Sequence, residues 1–484
     1  MILRSIFAAL LLAAALAMAE GLPDLGDVSQ ATFTPLLERR LGDRIMREIR
    51  TDPQYYEDVE ATDYINALGD RLVARGSDTR QKFDFFLIRD SQINAFALPG
   101  GYIGVNTGLL LAAQSESEVA GVLAHEIAHV TQRHIARMIA QQDKNQIVSI
   151  AALAVAILAA RTSPDAASAA AAFGTASAMQ SQLNFTRDNE READRVGLQV
   201  LEAAGFDPRA MPTFFERLQR ATRIYEGKGS APSYLRTHPL TYERIADVQN
   251  RVEGLPYRQI PDTLDFQLVR AKLRATLDQP RDAREFFEES LAERKYLSEA
   301  ASRYGLARTL LRLRDTSGAQ REYAALKKSG RTSPIIENLG CEIRAATGAN
   351  GGAEQCYKDA LKAYPNHRAL TYGYIDVLLG ERKAQAALQL IEDRLRLYTE
   401  DHQLYLRQSQ AYALLGKNYA QHRALGEAYY RMGNLPGAIE QLQIAARSGD
   451  GDFYQMSAVE ARLRELRRQD AENRKDQKDG AQQR

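Results

Sequence analysis

The sequence predicts a mainly α-helical protein with one small β-sheet, in which an N-terminal domain precedes an α-solenoid. Three observations indicate this architecture. Apolar residues recur at helical spacing from Leu36 to Arg75, the segment from Phe83 to Val105 alternates and turns like β-structure, and helix pairs with recurring small residues follow Pro261. Shifts in composition divide the 484 residues into four predicted parts: 1–19, 20–255, 256–463 and 464–484.

The chain begins with the three parts of a secretory signal peptide. Arg4 gives a basic start, an apolar run extends from Ile6 to Leu16, and Ala17-Met-Ala19 supplies the small residues of a cleavage site. The apolar run is shorter than the roughly 20 residues that span a bilayer, which favours cleavage after Ala19 over an uncleaved membrane anchor. No lipid-modifiable cysteine follows. We therefore expect an exported protein, most naturally in a Gram-negative periplasm.

The first helices and strands follow from residue spacing. Between Leu36 and Arg75 one helical face carries the apolar residues Ile45, Ile49, Tyr64, Ile65, Leu68 and Leu72. The stretch from Phe83 to Ile88 alternates like a strand, and the stretch from Asn94 to Val105 predicts two extended segments around a Pro99-Gly100-Gly101 turn. We expect the helices to cover the helix that follows this hairpin.

That helix, around Leu123-Ala-His-Glu-Ile-Ala-His-Val130, is predicted to carry a metal site. Helical residues four apart lie about 40° apart around the axis and about 6 Å along it, so His125 and His129 project from one face. Glu126 lies beside them and can reach a water in an open coordination position, as the HExxH motif of zinc peptidases requires. Ser115 and Glu118 form a capping-box pattern, which predicts that the helix begins near Glu116.

Two other interpretations of this stretch are weaker. A polar stripe on a surface helix would carry the same histidines, but the flanking residues are apolar and the chain has only seven histidines. The metzincin pattern needs Gly and then His at fixed downstream offsets. Gln132 occupies the Gly position and His134 falls one residue early, which excludes that class. A third protein ligand must therefore lie elsewhere.

The segment Arg187-Asp-Asn-Glu-Arg-Glu-Ala-Asp-Arg195 offers that ligand. Glu190 and Asp194 are four apart and share a helical face. Glu190 can therefore bind the metal while Asp194 accepts the outer N–H of a ligand histidine, and Glu192 points elsewhere. An ordinary charged helix face would give the same pattern, but the HExxH motif upstream favours the metal site.

Three motifs together resemble a known family. The chain contains His125-Glu126-x-x-His129, then Glu190-x-x-Ala193-Asp194, then His238-Pro239-x-x-x-x-Arg244. This order is similar to that of the gluzincin peptidases of the HtpX and CAAX-prenyl-protease type. The resemblance implies a gluzincin-like metallopeptidase domain in residues 20–255, with one Zn²⁺ bound by His125, His129 and Glu190.

The resemblance also implies roles for other residues. His238 approaches the metal centre, where it either stabilises the developing oxyanion or occupies the open coordination position and silences the enzyme, and Arg244 supports the site. Both are expected to act with Glu126 in the catalytic centre. The segment from Asn94 to Leu98 becomes the sheet edge that binds extended substrate by β-addition, through Asn94, Ala95, Phe96 and Ala97.

Two apolar stretches separate the motifs. Residues 147–160 are almost wholly apolar, and residues 166–179 are rich in alanine and serine. Fourteen residues is short for a transmembrane helix, which needs about 20. A buried helical hairpin is the simpler interpretation, and an apolar surface that touches the outer membrane or a hydrophobic client is the alternative.

After Pro261 the helix pairs match the tetratricopeptide pattern. The best unit has its small and large residues at the expected offsets, at Leu425, Gly426, Tyr429, Ala438, Leu442 and Ala445. Looser copies suggest about four repeats between residues 256 and 463. Stacked repeats form a solenoid whose concave face binds a partner, and a purely stabilising role is the alternative.

Both cysteines lie in the C-terminal half. Cys341 and Cys356 are spaced to lie on two antiparallel helices of one repeat, where an oxidising compartment would let them pair; two buried free thiols are the alternative. Residues 464–484 are charged and rich in Gln and Asp, which predicts a fraying helix and a disordered tail.

These features define two functional hypotheses. Exported members of the resembling family with C-terminal repeats imply a periplasmic zinc endopeptidase in outer-membrane protein quality control. Its substrates would be unfolded or misassembled β-barrel proteins, and the barrel-assembly machinery would dock on the repeats. The alternative is mainly a docking or chaperone factor with a latent metal site. A net charge of +1 gives no reason to expect nucleic acid as a partner.

Overall fold

A computed structural model describes residues 33–76, 81–140, 187–225, 234–235, 238–256, 259–348 and 352–482. The predicted signal peptide and the apolar stretches 147–160 and 166–179 lie outside these ranges. Within them, no helix combines the length and the apolar character that crossing a membrane requires.

The N-terminal domain combines a small sheet with helices. Its elements are α1 (Pro35–Ile49), β1 (Tyr55–Tyr56), α2 (Val59–Val73), β2 (Asp84–Ile88), β3 (Ala95–Leu98), β4 (Tyr102–Asn106), α3 (Thr107–Ala112), α4 (Glu116–Thr131), α5 (His134–Ala140), α6 (Arg187–Ala203), α7 (Ala210–Tyr225) and α8 (Tyr242–Glu253). The fold-class prediction of a mainly α protein with a small sheet is confirmed.

The sheet places one strand at an edge beside the helix that carries HExxH. Its strand order is β1-β2-β4-β3, with β2 and β4 parallel and β3 and β4 antiparallel. The predicted hairpin is present, with Ala97 opposite Ile103. Gly100 and Gly101 form its turn at φ 79° and 84°, where a side chain would be strained. Among the strands that the structure describes, β3 therefore lies at an edge and pairs with β4 alone.

Helix α4 lies at the centre of the domain. It begins at Glu116, where the Ser115 hydroxyl accepts a hydrogen bond from the backbone N–H of Glu118, so the predicted start is confirmed. Every residue from Glu116 to Val130 is buried. Helices α2, α6 and α7 and strand β3 pack around α4. This enclosure explains why the motif residues are flanked by apolar side chains on all sides.

The C-terminal part is a series of helices, each of which packs against its neighbours in sequence. They are α9 (Leu264–Leu277), α10 (Pro280–Ala292), α11 (Glu299–Arg312), α12 (Thr316–Lys328), α13 (Pro334–Ala346), α14 (Gly352–Ala363), α15 (Arg368–Gly380), α16 (Ala384–Leu395), α17 (His402–Leu414), α18 (Asn418–Arg431), α19 (Leu435–Ala445) and α20 (Phe453–Gln482). In the best predicted repeat unit, Leu442 of α19 lies against Gly426 of α18.

The apolar core does not stop at the predicted domain boundary. One continuous cluster of buried residues runs from Tyr56 through the sheet and α4 to Ile343 of α13. Helix α9 packs on α2 and α3, and Tyr64 and Phe266 face each other with ring centroids 6.3 Å apart. Lys272 of α9 is buried and bonds Asp58 and Glu60 at the start of α2. The two predicted domains therefore share one core.

Two C-terminal predictions have different outcomes. A disulfide joins Cys341 of α13 to Cys356 of α14. Helix α20 continues through the predicted fraying helix as far as Gln482, and the disordered tail stays a prediction. Leu466 at the start of the segment is buried, and charged pairs such as Arg474–Asp470 at i,i+4 favour helix beyond it.

Candidate metal centre

Four potential metal ligands meet in the interior beside α4. His125 and His129 come from α4, Glu190 from α6, and His238 from the segment that precedes α8. Each offers one donor atom, and these atoms lie within 4.8 Å of one another. All four residues are at most 1% exposed.

The distances between the donors fit a divalent metal. His125 Nε2 lies 3.0 Å from His129 Nε2 and 3.4 Å from His238 Nδ1. Glu190 oxygens lie 3.5 Å, 3.4 Å and 3.1 Å from His125 Nε2, His129 Nε2 and His238 Nδ1. A tetrahedron of ligands with bonds of about 2.0 to 2.1 Å has edges of about 3.3 Å. These histidine and carboxylate donors therefore have the chemistry of a zinc site, and five of their distances lie near a tetrahedral edge, while the whole set of donor atoms spans up to 4.8 Å.

His125 is oriented by a carboxylate and an arginine. Its Nδ1 lies 3.0 Å from Asp194 Oδ1. Arg244 donates two hydrogen bonds of 2.7 Å to the two oxygens of Asp194. Burial opposes ionisation of Asp194, but hydrogen bonds from His125 and Arg244 hold the pKa of this carboxyl below its usual range. Such a contact fixes both the tautomer and the orientation of a ligand histidine.

Arg244 also balances the charge of Glu190. Its Nη1 lies 2.7 Å from Glu190 Oε2 and donates to the carbonyl of Pro239 at 2.9 Å. Burial opposes ionisation of Glu190, but His238 and His125 hold the pKa of this carboxyl well below its usual range. All three nitrogens of Arg244 thus face Asp194, Glu190 or Pro239. The arginine supports the site and does not direct a donor toward a substrate oxyanion.

Glu126 faces the same cluster without being one of the four donors. Its Oε1 lies 3.4 Å from His238 Nε2. Among the described residues, neither of its oxygens has a well-formed hydrogen bond. Burial raises the pKa of Glu126, and His238 and His125 offset this only in part. A buried carboxylate with a raised pKa beside metal ligands is suited to accept and return a proton.

Comparison with known proteins agrees with this geometry. The model of peptidase family M48 matches residues 60–252. The putative β-barrel assembly-enhancing protease of Vibrio cholerae is 36% identical over 448 residues, which cover 92% of each chain. The chain belongs to peptidase family M48. It is therefore a metallopeptidase, and its cluster of His125, His129, Glu190 and His238 is consistent with the metal site of the family.

Two further relatives are also named as peptidases. The β-barrel assembly-enhancing protease of Escherichia coli K12 is 31% identical over 453 residues, covering 93% of this chain and 92% of the relative. The mitochondrial metalloendopeptidase OMA1 of Schizosaccharomyces pombe is 32% identical over 230 residues, covering 46% of this chain and 62% of the relative. The match to OMA1 is thus confined to part of this chain.

The predicted substrate edge of this M48 peptidase lies directly beside α4. Ala95, Phe96 and Ala97 belong to edge strand β3, and the backbone N–H of Ala97 faces the Glu126 carboxylate. Asn94 precedes the strand and is buried, and its backbone carbonyl accepts a hydrogen bond from Asn106. Asn94 therefore belongs to the hairpin end, whereas Ala97 lies closest to the proposed chemistry.

The segment that carries His238 begins at the same edge. The backbone N–H of Tyr234 donates to the carbonyl of Ile93 at 3.3 Å, and Tyr234 is completely buried. The backbone N–H of His238 then donates to the carbonyl of Tyr234 at 2.8 Å. Backbone hydrogen bonds therefore link Ile93, Tyr234 and His238, between the residue range that precedes β3 and the metal cluster.

Sequence reasoning missed a second set of polar contacts, behind His129. His134 Nδ1 lies 2.8 Å from His129 Nδ1, and His134 Nε2 lies 3.1 Å from Glu192 Oε2. Glu192 also accepts a hydrogen bond of 2.8 Å from Arg137. Spacing alone treats His134 only as a metzincin ligand and turns Glu192 away from the metal. Glu192 is not among the four donors; its carboxylate bonds His134 and Arg137 instead, because α5 lies against the side of α6 that carries this residue.

The turn after α4 explains why spacing alone could not find these contacts. Arg133 has φ 53°, in the left-handed region that ends a helix and reverses the chain. This turn returns His134 beneath His129, where burial lowers the pKa of His134 to about 4. The available signal was His134 itself, a further histidine only five residues after His129, the last residue of the HExxH motif.

Proposed function

We propose that this M48 metallopeptidase is a zinc-dependent endopeptidase that degrades unfolded or misassembled outer-membrane β-barrel proteins and assists their assembly. The main support is that the donor atoms of His125, His129 and Glu190 lie together in the interior, with Glu126 facing the same cluster. The names of relatives that match over more than nine-tenths of the chain support the substrate class.

In this proposal His125, His129 and Glu190 hold Zn²⁺. Zn²⁺ held by these residues would supply Lewis acidity, which would lower the pKa of a water and polarise a peptide carbonyl. Glu126 takes the proton of the attacking water and later delivers it to the leaving amine. Asp194 keeps His125 in the tautomer whose Nε2 faces the cluster, and Arg244 keeps Asp194 and Glu190 ionised.

The substrate binds as an extended strand on β3. Asn94, Ala95, Phe96 and Ala97 are the proposed contact residues, and β-addition pairs the backbones. Backbone pairing suits a protease that must accept many unfolded sequences, because it reads the chain rather than particular side chains. Since Ala97 faces Glu126, a strand added here would pass the proposed general base.

His238 restrains the resting enzyme in this proposal. Three protein ligands and one open position are usual for a catalytic zinc site, whereas four protein ligands are usual for a structural one. His238 Nδ1 lies at the position of a fourth ligand. Its segment starts at the substrate edge, at the Tyr234–Ile93 hydrogen bond. Displacement of His238 would open this coordination position.

The remaining parts of the proposal concern location and partners. Residues 1–19 form a signal peptide cleaved after Ala19, and the mature protein acts in the periplasm. The Cys341–Cys356 disulfide supports an oxidising compartment. The helices from 256 to 463 form tetratricopeptide repeats on which the barrel-assembly machinery docks.

Degradation of a defined substrate tests the proposal. The mature protein and its Glu126→Gln variant are incubated with a denatured outer-membrane β-barrel protein and with the same protein folded in detergent. We expect the wild type to cleave the denatured form preferentially. Glu126→Gln should slow cleavage by about 10²- to 10⁴-fold while zinc content stays unchanged, because Glu126 is not a ligand. Equal cleavage by both proteins would contradict the mechanism.

A second function, mainly docking or chaperoning, is favoured by the position of His238 as a fourth donor. An enzyme with all four positions filled by protein is latent. The discriminating measurement is outer-membrane assembly in cells that express only Glu126→Gln. Full rescue by this variant would make the docking role dominant, whereas loss of rescue would make proteolysis the main function.

A further inference from the structure

The two ligand histidines of α4 are supported in different ways. His125 contacts the carboxylate of Asp194 directly, at 3.0 Å. His129 has another histidine behind it, with 2.8 Å between His129 Nδ1 and His134 Nδ1. His134 is completely buried. A buried imidazole in this place either fills space or acts on the ligand that it contacts.

The direction of the hydrogen bond between His129 and His134 follows from the proposed ligand set, so the inference rests on the proposed function. His129 Nε2 faces the other donors, at 3.0 Å from His125 Nε2. When Nε2 of a neutral histidine binds a metal, its proton is on Nδ1. His129 Nδ1–H must then donate to His134 Nδ1, which accepts. The His134 proton is therefore on Nε2, which donates to Glu192 Oε2 at 3.1 Å.

The contacts that run from His129 through His134 end in the Glu192–Arg137 ion pair. The contact of His125 likewise ends in the Asp194–Arg244 ion pair. Arg137 donates to Glu192 Oε2 at 2.8 Å, just as Arg244 donates to Asp194 at 2.7 Å. Each ligand histidine is thus connected to a carboxylate that an arginine holds. The difference is that one extra imidazole connects His129 to its carboxylate, which allows Glu192 to lie near the surface, with 27% of its side chain exposed.

We infer that His134 and Glu192 are positioning residues for the metal ligand His129: His134 accepts the outer N–H of His129, and Glu192 holds His134 in the accepting tautomer. Neither residue touches the metal or the substrate. Their contribution is to fix the tautomer and the ring plane of His129, as carboxylates do behind other ligand histidines.

Zinc affinity is the direct test, because it does not depend on turnover. His134→Phe keeps a buried ring but removes the acceptor, and we expect zinc affinity to fall by about 10- to 100-fold, the range for loss of such a contact. His134→Asn places an oxygen near the position of Nδ1 and should recover most of the affinity. A purely space-filling role predicts the opposite order. Affinities are measured by competition with a chromophoric chelator, on the mature protein.

Glu192→Ala tests the second step and remains informative if His134→Phe does not fold. Glu192 is partly exposed, so the chain tolerates its truncation, and zinc affinity should fall several-fold as His134 loses its tautomer restraint. Thr131→Val is the matched control, since its hydroxyl bonds only the carbonyl of Ala128 at the end of α4. This control should keep wild-type affinity.

The outcomes separate this inference from the proposed ligand set. Loss of zinc in His129→Ala, with unchanged affinity in folded His134→Phe and in Glu192→Ala, would overturn the positioning role alone. If His134→Phe does not fold, unchanged zinc affinity in Glu192→Ala would by itself overturn the positioning role. Wild-type zinc binding by His129→Ala would instead show that the ligand set itself is wrong.

Discussion

At the residue scale, Arg244 shows how the centre tolerates buried negative charge. It is 2% exposed and connects two carboxylates, Asp194 and Glu190. Without it, both would be buried in a low-dielectric site with one cation fewer, which is far costlier than losing a pair at the surface. Arg244 thus supplies the charge balance for both the proposed ligand Glu190 and its neighbour Asp194.

Replacement of Arg244 should therefore cost both stability and metal. We expect Arg244→Met to lower the free energy of unfolding by about 3 to 5 kcal/mol, measured by urea denaturation, and to release zinc. Arg244→Lys should rescue little, because an ammonium cannot make the bidentate contact. The control is Arg191→Ala, whose exposed pair with Glu243 is worth less than about 1 kcal/mol. If Arg244→Met and Arg191→Ala lowered the free energy of unfolding equally, burial of Arg244 would not matter.

The residues of the site differ in how far the sequence predicts them. His125, Glu126 and His129 follow from helical spacing, and Glu190 and Asp194 from a second i,i+4 pair. His238 and Arg244 depend on the family resemblance, because His238 precedes α8 and Arg244 lies in its first turn, so no single periodicity links them to the HExxH motif. His134 and Glu192 escaped because their contact requires the left-handed turn at Arg133, a conformation that arginine rarely adopts.

At the element scale, the centre depends on how closely α6 approaches α4. Gly197 of α6 makes this approach possible, since a Cβ there would lie 3.0 Å from the backbone of Ala124 and His125. Because those neighbours are backbone atoms of a buried helix, they cannot move aside easily. Helix α6 carries Glu190, so the distance between the helices also sets the position of the third ligand.

Gly197→Ala should separate the two helices. We expect a loss of about 1 to 3 kcal/mol in the free energy of unfolding, despite the better helix propensity of alanine, and a fall in zinc affinity of about tenfold or more. Gly121→Ala is the matched control in α4, because its Cβ would meet nothing closer than 3.5 Å. It should stabilise the protein by about 0.5 to 1 kcal/mol. A stabilising Gly197→Ala would refute the close-approach argument.

At the scale of the whole molecule, the apolar core continues across the predicted domain boundary at residue 255. Proline positions and repeat patterns suggested two domains, but buried side chains from both sides form one cluster. Lys272 of α9 is buried against Asp58 and Glu60 of α2. The sequence shows where a pattern begins, but it does not show which surface the first repeat covers.

Truncation tests whether the shared core matters. A fragment of residues 20–255 loses the cover that α9 gives to α2, and we expect its thermal midpoint to fall by about 10 °C or more, since 1 kcal/mol corresponds to roughly 2 to 4 °C at this size. A fragment of residues 20–366 keeps the shared cluster and the disulfide, and should stay near the full-length midpoint. Equal midpoints for 20–255 and the full chain would show independent domains.

The central claim is that a competent zinc peptidase is held at rest by His238, and one measurement addresses it directly. The cleavage rate of a denatured β-barrel protein is compared between the mature wild type and His238→Ala, with Glu126→Gln as the blank. This account predicts faster cleavage by His238→Ala, because the variant opens the fourth position beside Glu126. Cleavage by His238→Ala that falls to the level of the blank would contradict the latch and make His238 a required catalytic group.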